Sequence, residues 1–444
     1  MFAASVVFNA ALPSIVRHLL SPLASFLVPL FIKSFLIDNV YIEAYSRTCL
    51  FLDPIKCFFS VLIVILTSKV AHFLSKKDHV SISLVCHLAY VLSFILSFLL
   101  ISIAPFLVHR VLYSSELIHV GKIFFYLRIF SMAFSLFLST TVGILQGFSD
   151  FKAVLFVQVL SSFSWILLSF LGVSLLHSKL GFIGLSQLIG VIVALVIGVR
   201  FVIKHFGLYG LVLSSQNPQI LLSVFTKNSF HLIMKSSLID LLYLSNGLLL
   251  SKDSPNVFIV YQLFLNFWVF ICNYVDGIAS VFISMTASQF QFSSFTTCSL
   301  TISKYSTIFG FPLILLLNFF IASTVQTESF LFVLILSIIF TIGLYINCLS
   351  FFAEAVLFGS QEFKRPWLNL LMGLLMFHVP SFLISRFVLL SLFENWIVHC
   401  LFVDLILINY WRYLTNVKDL QLLTSKHEGL IADQDVDDVS DSFS

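Results

Sequence analysis

The stretch "GILQGFSDFK" occupies Gly143 to Lys152, and "AVLFGSQEFK" occupies Ala355 to Lys364. Each writes leucine, any residue, glycine, two free positions, an acid, phenylalanine and lysine. Taken alone, either is a helix-exit turn in which glycine ends the helix and the charged pair hydrates the loop. What gives the repetition weight is the chain around it.

Of 444 residues, 59% are hydrophobic, 52 are phenylalanine and only 10% are charged, with a mean hydropathy of +1.05. This composition excludes a soluble globular protein, because no water-facing fold can hide so much apolar surface. Lipid must be the principal solvent. The net charge of +3 says little.

No Lys, Arg, Asp or Glu interrupts the chain between Asp78 and Arg110, Arg128 and Asp150, Lys152 and Lys179, Asp276 and Lys304, Lys304 and Glu328, or Arg365 and Arg386. Each stretch exceeds the roughly 20 residues a helix needs to span hydrocarbon. The apolar runs are continuous, without the period-2 alternation of a closed barrel, so the spans are helices. The pattern predicts twelve: 13–37, 50–74, 80–106, 123–147, 153–176, 181–203, 228–250, 256–287, 304–324, 329–358, 366–390 and 393–413.

Cytoplasmic loops retain Lys and Arg. With an even number of spans, one side collects Arg17, Lys76, Lys77, Lys152, Arg200, Lys204, Lys227, Lys304, Lys364, Arg365, Arg412, Lys418 and Lys426, thirteen cations. The other collects Arg47, Arg110, Lys122, Lys179, Lys252 and Arg386, six. Both termini are therefore expected in the cytoplasm. No cleavable signal pattern precedes the first apolar run. The seven cysteines have no paired spacing and read as small buried hydrophobes, with no disulfide framework or zinc site. The acidic, Ser-rich stretch 427–444 reads as a disordered cytoplasmic tail.

Both copies of the repeated motif fall at the cytoplasmic end of a span, the fourth and the tenth, six spans apart. That equivalence points to an internal duplication, six helices followed by six, with halves related by an axis along the membrane normal. The expected organisation is an amino-terminal lobe (1–203), a linker "KHFGLYGLVLSSQNPQILLSVFTK" (204–227), a carboxy-terminal lobe (228–426) and the tail. The fold class is an all-α polytopic membrane protein, two six-helix bundles with pseudo-two-fold symmetry.

Here the sequence resembles a family. "YLRIFSMAFSLFLSTTVGILQGFSDFK" (Tyr126 to Lys152) resembles the fourth-helix signature of multidrug and toxic compound extrusion (MATE) transporters, in particular a bacterial DNA-damage-inducible subgroup of that branch of the MOP flippase superfamily. "LGFIGLSQLIG" (Leu180 to Gly190) is similar to the start of the sixth helix, with Gly181 and Gly184 in place. "FIVYQLFLNFWVFICNYVDGIASVF" resembles the eighth, with Gln262 and the Asp276–Gly277 pair matching. "FFAEAVLFGSQEFKRP" resembles the tenth, with Glu354 where the subgroup has an acid. The chain departs from the pattern twice: "FLVPLFIK" puts Pro29 where the first helix carries an aspartate, and "SSFSWILLSF" puts Ser169 where the fifth helix carries an acid. The resemblance then implies that the amino-terminal lobe is not the ion site.

Charged residues inside spans are costly and are functional candidates by default. Lys235 and Asp240 in the seventh span, Asp276 in the eighth and Glu354 in the tenth are the candidates for cation coupling or substrate binding, joined by Gln262 from the motif. Gly147, Asp150, Gly359 and Glu362 are the motif glycines and loop charges. Asp404, in the twelfth span, also carries charge. The functional reading is a carboxylate that exchanges H⁺ or Na⁺ against a cationic substrate. The structural reading is an ion pair between helices, such as Lys235 with Asp240 or Asp276. Arg128, Lys56 and Asp53 lie near span ends and read as snorkelling anchors. His231, His378 and His399 have no ligand spacing and read as core histidines. Pro29, Pro312 and Pro380 fall inside spans and permit kinks.

No phosphate loop, nucleophile elbow or catalytic cluster is legible. The expectation is a non-enzymatic secondary transporter of the bacterial cytoplasmic membrane. It would export organic cations or other amphipathic compounds by alternating access, with no cofactor beyond H⁺ or Na⁺. Its partners would be a small-molecule substrate and membrane lipid, without nucleic acid, and it would act as a monomer. The alternative within the superfamily is a flippase for lipid-linked precursors, which would want a basic cavity.

Overall fold

A backbone amide in hydrocarbon has no water to bond, so charge-free stretches persist only if they satisfy their own N–H and C=O groups. In the computed structural model of the protein they do so as α-helices. The structure describes residues 2–35, 39–174, 180–206, 230–243, 245–246, 255–288, 295–324, 330–387 and 402–423. Most of the expected linker and the whole tail lie outside the described residues, as do His399 and the side chains of Pro29, Asp53, Lys56 and Gln262.

The helices are α1 (Phe2–Phe35), α2 (Asn39–Ser75), α3 (His79–Val111), α4 (Ser115–Gly147), α5 (Phe151–Ser174), α6 (Leu180–Phe206), α7 (230–243), α8 (Pro255–Ser288), α9 (Phe295–Thr324) and α10 (Phe330–Gly359). Then come α11, built of Lys364–Gly373, a π-helical Leu374–His378 and Val379–Phe387, and α12 (402–423). Among the described residues, eight helices are long and apolar enough to cross a membrane. The protein is a multi-pass integral membrane protein of the all-α class.

Each expected span finds a helix among the described residues, and the twelfth, expected to end at 413, runs on to 423. Arg412, expected at a water-facing span end, is only 3% exposed and lies mid-helix. An internal carboxylate neutralises it, so the helix runs on.

Two compact units form: Val6–Ser236 with Asn273–Gln289, and Ser237–Cys272 with Phe290–Ser444 and Met1–Ser5. The boundary between the units falls within α8, between 272 and 273.

In the first unit, α3 shows what the solvent is. Its buried side carries Ser83, Cys86, Ala89, Ser93, Ser97 and Ala104, while Phe94, Phe98 and Phe106 are exposed by 64%, 64% and 76%. Small and polar residues face the protein and phenylalanine faces out, the reverse of a water-soluble helix and the arrangement that lipid favours. Hydroxyls knit α3 to α4: Ser93 Oγ lies 2.7 Å from Thr140 Oγ1, Tyr90 Oη 3.0 Å from Thr141 Oγ1, and Ser97 donates to the Ala133 carbonyl at 2.9 Å.

The repeated motif now has a physical account. Gly143 and Gly147 form a Gly-x-x-x-Gly stripe on α4 that seats α2: a Cβ at Gly147 would lie 2.5 Å from Val70 Cβ, and one at Gly143 would lie 3.0 Å from Ile63 Cα. The left-handed residue of the turn is Ser149 (φ 59°), not the glycine. Asp150 N–H reaches back to the Leu145 carbonyl at 2.9 Å and Ser149 N–H to Gln146 at 2.9 Å, a Schellman closure. The second copy closes identically around Gln361 (φ 65°), with Glu362 N–H on Leu357 at 2.9 Å. So does a third turn after α2, around Lys77 (φ 56°), whose sequence lacks the motif. The acids start the next helices: Asp150 accepts from Ala153 N–H at 3.0 Å, and Asp78 from Ser81 N–H at 3.0 Å and its hydroxyl at 2.6 Å.

In the second unit, Trp268, Phe340 and Phe402 from α8, α10 and α12 make an aromatic core with ring centroids 4.8–6.2 Å apart. Asn369 on α11 donates to Asn416 at 2.8 Å and Asp419 at 2.9 Å on α12.

Two outcomes follow for thermal unfolding in detergent. Gly147→Leu forces α2 and α4 apart and lowers Tm, whereas Lys77→Gly removes a left-handed penalty of about 1 kcal/mol and raises it. The two Ser81 hydrogen bonds hold the Asp78 carboxyl below its ordinary 3.8. The cap's contribution is therefore present above that pH and is lost as pH falls through the lowered folded value; Asp78→Asn, which keeps an acceptor, lowers Tm at pH 7 but not under strongly acid conditions.

Candidate functional site

A charge taken into hydrocarbon costs several kcal/mol unless a partner in the protein offsets it. Four clusters of buried polar groups among the described residues, two in each unit, hold intramembrane charge.

In the first unit, Arg128 on α4 is 1% exposed, hydrogen-bonded to Gln187 Oε1 on α6, and its guanidinium lies 5.4 Å from the Trp165 ring on α5. The snorkelling expectation is overturned: Arg128 is buried and ties three helices together by hydrogen bonding and cation–π attraction. Ser169, at the position where the resemblance would put an acid, is a fully buried hydroxyl with no hydrogen-bond partner.

The second cluster lies where α8 meets α1. Gly277 makes the contact possible, since a Cβ there would sit 2.6 Å from Ile15 Cα. Ser280 Oγ meets Ser14 Oγ at 2.6 Å, and His18 Nδ1 lies 2.8 Å from the Ser14 carbonyl. Arg17, counted above among the cytoplasmic cations, is 8% exposed and within electrostatic range of the half-buried Asp276. The Asp276–Gly277 pair thus combines a charge with the space that lets a facing helix approach it.

In the second unit, Glu354 on α10 is 2% exposed and bonded by the Arg412 guanidinium of α12, which also donates to Asn409 Oδ1 at 2.8 Å and lies 5.2 Å from the Phe351 ring. Glu354 is engaged in a clamp between helices. The fourth cluster is a chain that spacing in the sequence does not reveal. Ser245 Oγ lies 2.8 Å from His378 Nε2, and His378 Nδ1 lies 2.9 Å from Asp404 Oδ2, with His378 and Asp404 8% and 2% exposed. His378, expected as a core or hydrogen-bonding histidine, is buried and bonded on both ring nitrogens. The three residues stand on α11, α12 and the short helical turn 245–246, so only the fold brings them together.

Lys235 and Asp240 are half-buried on α7, and both are engaged. Gln262 lies in α8, its side chain outside the described residues. Asp150 accepts a hydrogen bond from His205 Nε2 at 2.9 Å, and that ring stacks on Phe148. Gly359 is buried at the end of α10, and Glu362 Oε2 lies 3.5 Å from Arg365 Nε. Among the described residues, no group of three or more His, Cys, Asp or Glu is placed to hold a metal ion.

No protein-family model matches the chain, and no curated protein matches it in sequence. Solved structures do match in fold. A MATE protein in complex with MaD3S superposes with a TM-score of 0.82 at 14% identity, over 95% of this chain and 97% of that one. The outward-facing conformation of a multidrug resistance MATE family transporter of the MOP superfamily gives 0.80 at 13%, over 95% and 97%. A MOP superfamily transporter from Pyrococcus furiosus, whose reversed pocket polarity suggests a different function, gives 0.75 at 13%, over 95% and 96%. The chain therefore has the MATE fold, twelve helices in two bundles.

Breaking the Glu354–Arg412 clamp strands a buried charge. Glu354→Ala is expected to destabilise by about 3–5 kcal/mol, and Glu354→Met with Arg412→Met to recover most of that. Thermal unfolding of the two variants checks both.

Proposed function

We propose that the protein is a secondary active transporter that moves amphipathic small molecules, organic cations among them, by alternating access coupled to H⁺ or Na⁺. The observation that carries this reading is the likeness of fold to transporters over 95% of the chain and 97% of theirs. Ionisable groups inside its apolar helices support it, since an ion-coupled carrier needs titratable or ion-binding groups at membrane depth.

The balance of charge changes the substrate argument made from sequence. Asp276 is in range of Arg17, and Glu354 is held by Arg412, so these acids do not stand as two isolated negative sites. An organic cation would have to displace an arginine from Glu354, and we place the substrate class more broadly as amphipathic compounds. The buried Arg17 and Arg412 beside these acids keep the flippase for lipid-linked precursors, which would want a basic cavity, as the second reading.

The topology we propose has both termini in the cytoplasm. Removing the buried Arg17 and Arg412 from the earlier tally leaves eleven cations against six, the same sign. The transporter would act as a monomer in the cytoplasmic membrane, without an organic cofactor.

Reconstituted in liposomes, the protein is expected to drive efflux of a fluorescent organic cation under an imposed proton or sodium gradient. Asp276→Asn is expected to slow the initial rate by about tenfold or more, ~1.4 kcal/mol of barrier. If folded protein moves the cation under neither gradient, the reading gives way to the lipid-linked substrate.

A further inference from the structure

The chain of Ser245, His378 and Asp404 uses the two ring nitrogens as a hydrolytic triad does, with Nε2 toward the hydroxyl and Nδ1 toward the carboxylate. A nucleophilic serine also needs free N–H donors where an oxyanion would form. His378 and Asp404 sit within helices, whose N–H groups are used along the helix, and Ser245 turns its hydroxyl within 2.9 Å of the Leu242 carbonyl. The hydrogen-bond inventory suits a different task.

The serine hydroxyl has one hydrogen and two neighbours able to accept it. With a neutral ring, Nδ1–H donates to Asp404 Oδ2 and the Ser245 O–H donates to Nε2. With a protonated ring, Nδ1–H still donates to Asp404, Nε2–H donates to Ser245 Oγ, and the hydroxyl turns to the Leu242 carbonyl, 2.9 Å away. Every polar atom of the ring and the hydroxyl is satisfied in both states, and passing between them requires only rotation of one O–H. The net charge of the cluster changes from −1 to zero when the proton arrives. A second acceptor waits at the same place: Asp404 Oδ1 is buried and makes no hydrogen bond.

We propose that Ser245, His378 and Asp404 form a proton-binding site in the second unit, and, resting on the transporter reading above, that this site carries the coupling proton. The π-helical turn Leu374–His378 positions it, because the extra residue in the turn re-aims His378, and Pro380 just beyond cannot donate a backbone bond to close a regular helix there. All partners of His378 and Asp404 among the described residues are those named here and the Phe382 ring. Among the described residues of this unit, Asp240 on α7, the Glu354–Arg412 clamp between α10 and α12, and Lys364, Arg365, Lys418 and Asp419 on α11 and α12 carry charge, and none bonds to the pair. Arg412, eight residues along α12 from Asp404, is about 12 Å away along the helix axis.

The test is an infrared difference titration of the purified full-length protein in lipid between pH 5 and 8.5, in sodium and in choline chloride. It is run on wild type, His378→Gln, Asp404→Asn and Ser245→Ala, alongside pH-gradient-driven efflux of an organic cation. The proposal predicts an imidazole and a carboxylate signal in wild type, independent of sodium, that His378→Gln and Asp404→Asn abolish. It predicts that Ser245→Ala, the mildest change, shifts the midpoint while leaving the protein folded, and that His378→Gln slows proton-driven efflux about tenfold. A titration unchanged by His378→Gln would overturn the site. Loss of the signal with full proton-driven efflux in His378→Gln would overturn its coupling role. Covalent labelling of Ser245 by a fluorophosphonate would overturn the proton-site assignment in favour of a nucleophile. If wild type transports nothing under any gradient while His378→Gln still loses the signal, the transporter reading fails and the proton site stands.

Discussion

Hydrocarbon offers no hydrogen bonds, and the rest of the structure follows from that. Backbone groups satisfy themselves by forming helices, which leaves helix association to be driven by close packing and by polar side chains finding one another. The Gly143–Gly147 stripe against α2, the hydroxyl contacts between α3 and α4, and the outward-facing phenylalanines of α3 are three expressions of one constraint. In water the same α3 would have turned its phenylalanines inward.

The constraint also explains why the helices were legible and the ionic sites were not. A missing charge over twenty residues is a local property, and local properties can be read along a chain. Arg412 looks like the end of a span because its partner Glu354 is 58 residues away and becomes visible only when α10 and α12 lie side by side. Arg128 was read as an interface anchor for the same reason: Gln187 and Trp165, which make its burial tolerable, belong to two other helices. His378 had no ligand spacing to mark it, since Ser245 and Asp404 stand 133 and 26 residues away. The π-turn that carries it had a partial signal in Pro380, which sequence reading took only as a kink.

The repeated motif is a recurring turn, and its glycine has a second role. Its glycine was assigned to ending the helix, whereas Ser149 and Gln361 take the left-handed conformation and Gly147 serves helix packing. The same closure after α2, where the motif is absent, shows that the backbone turn is a general way to leave one membrane helix and start the next. The two-bundle organisation therefore rests on the likeness of fold over the whole chain more than on the motif that first suggested it.

If protonation and transport are linked in this protein, the link must run both ways, because coupling free energy is reciprocal. The most direct measurement is the reverse of a driven-efflux assay: an organic-cation gradient is imposed on proteoliposomes held at equal pH on both sides, and the internal pH is followed with a trapped dye. The account predicts that cation moving out carries protons in, acidifying the lumen until the two gradients balance, and that purified lipid vesicles show no such change. Cation movement through the protein with the internal pH unchanged would contradict it.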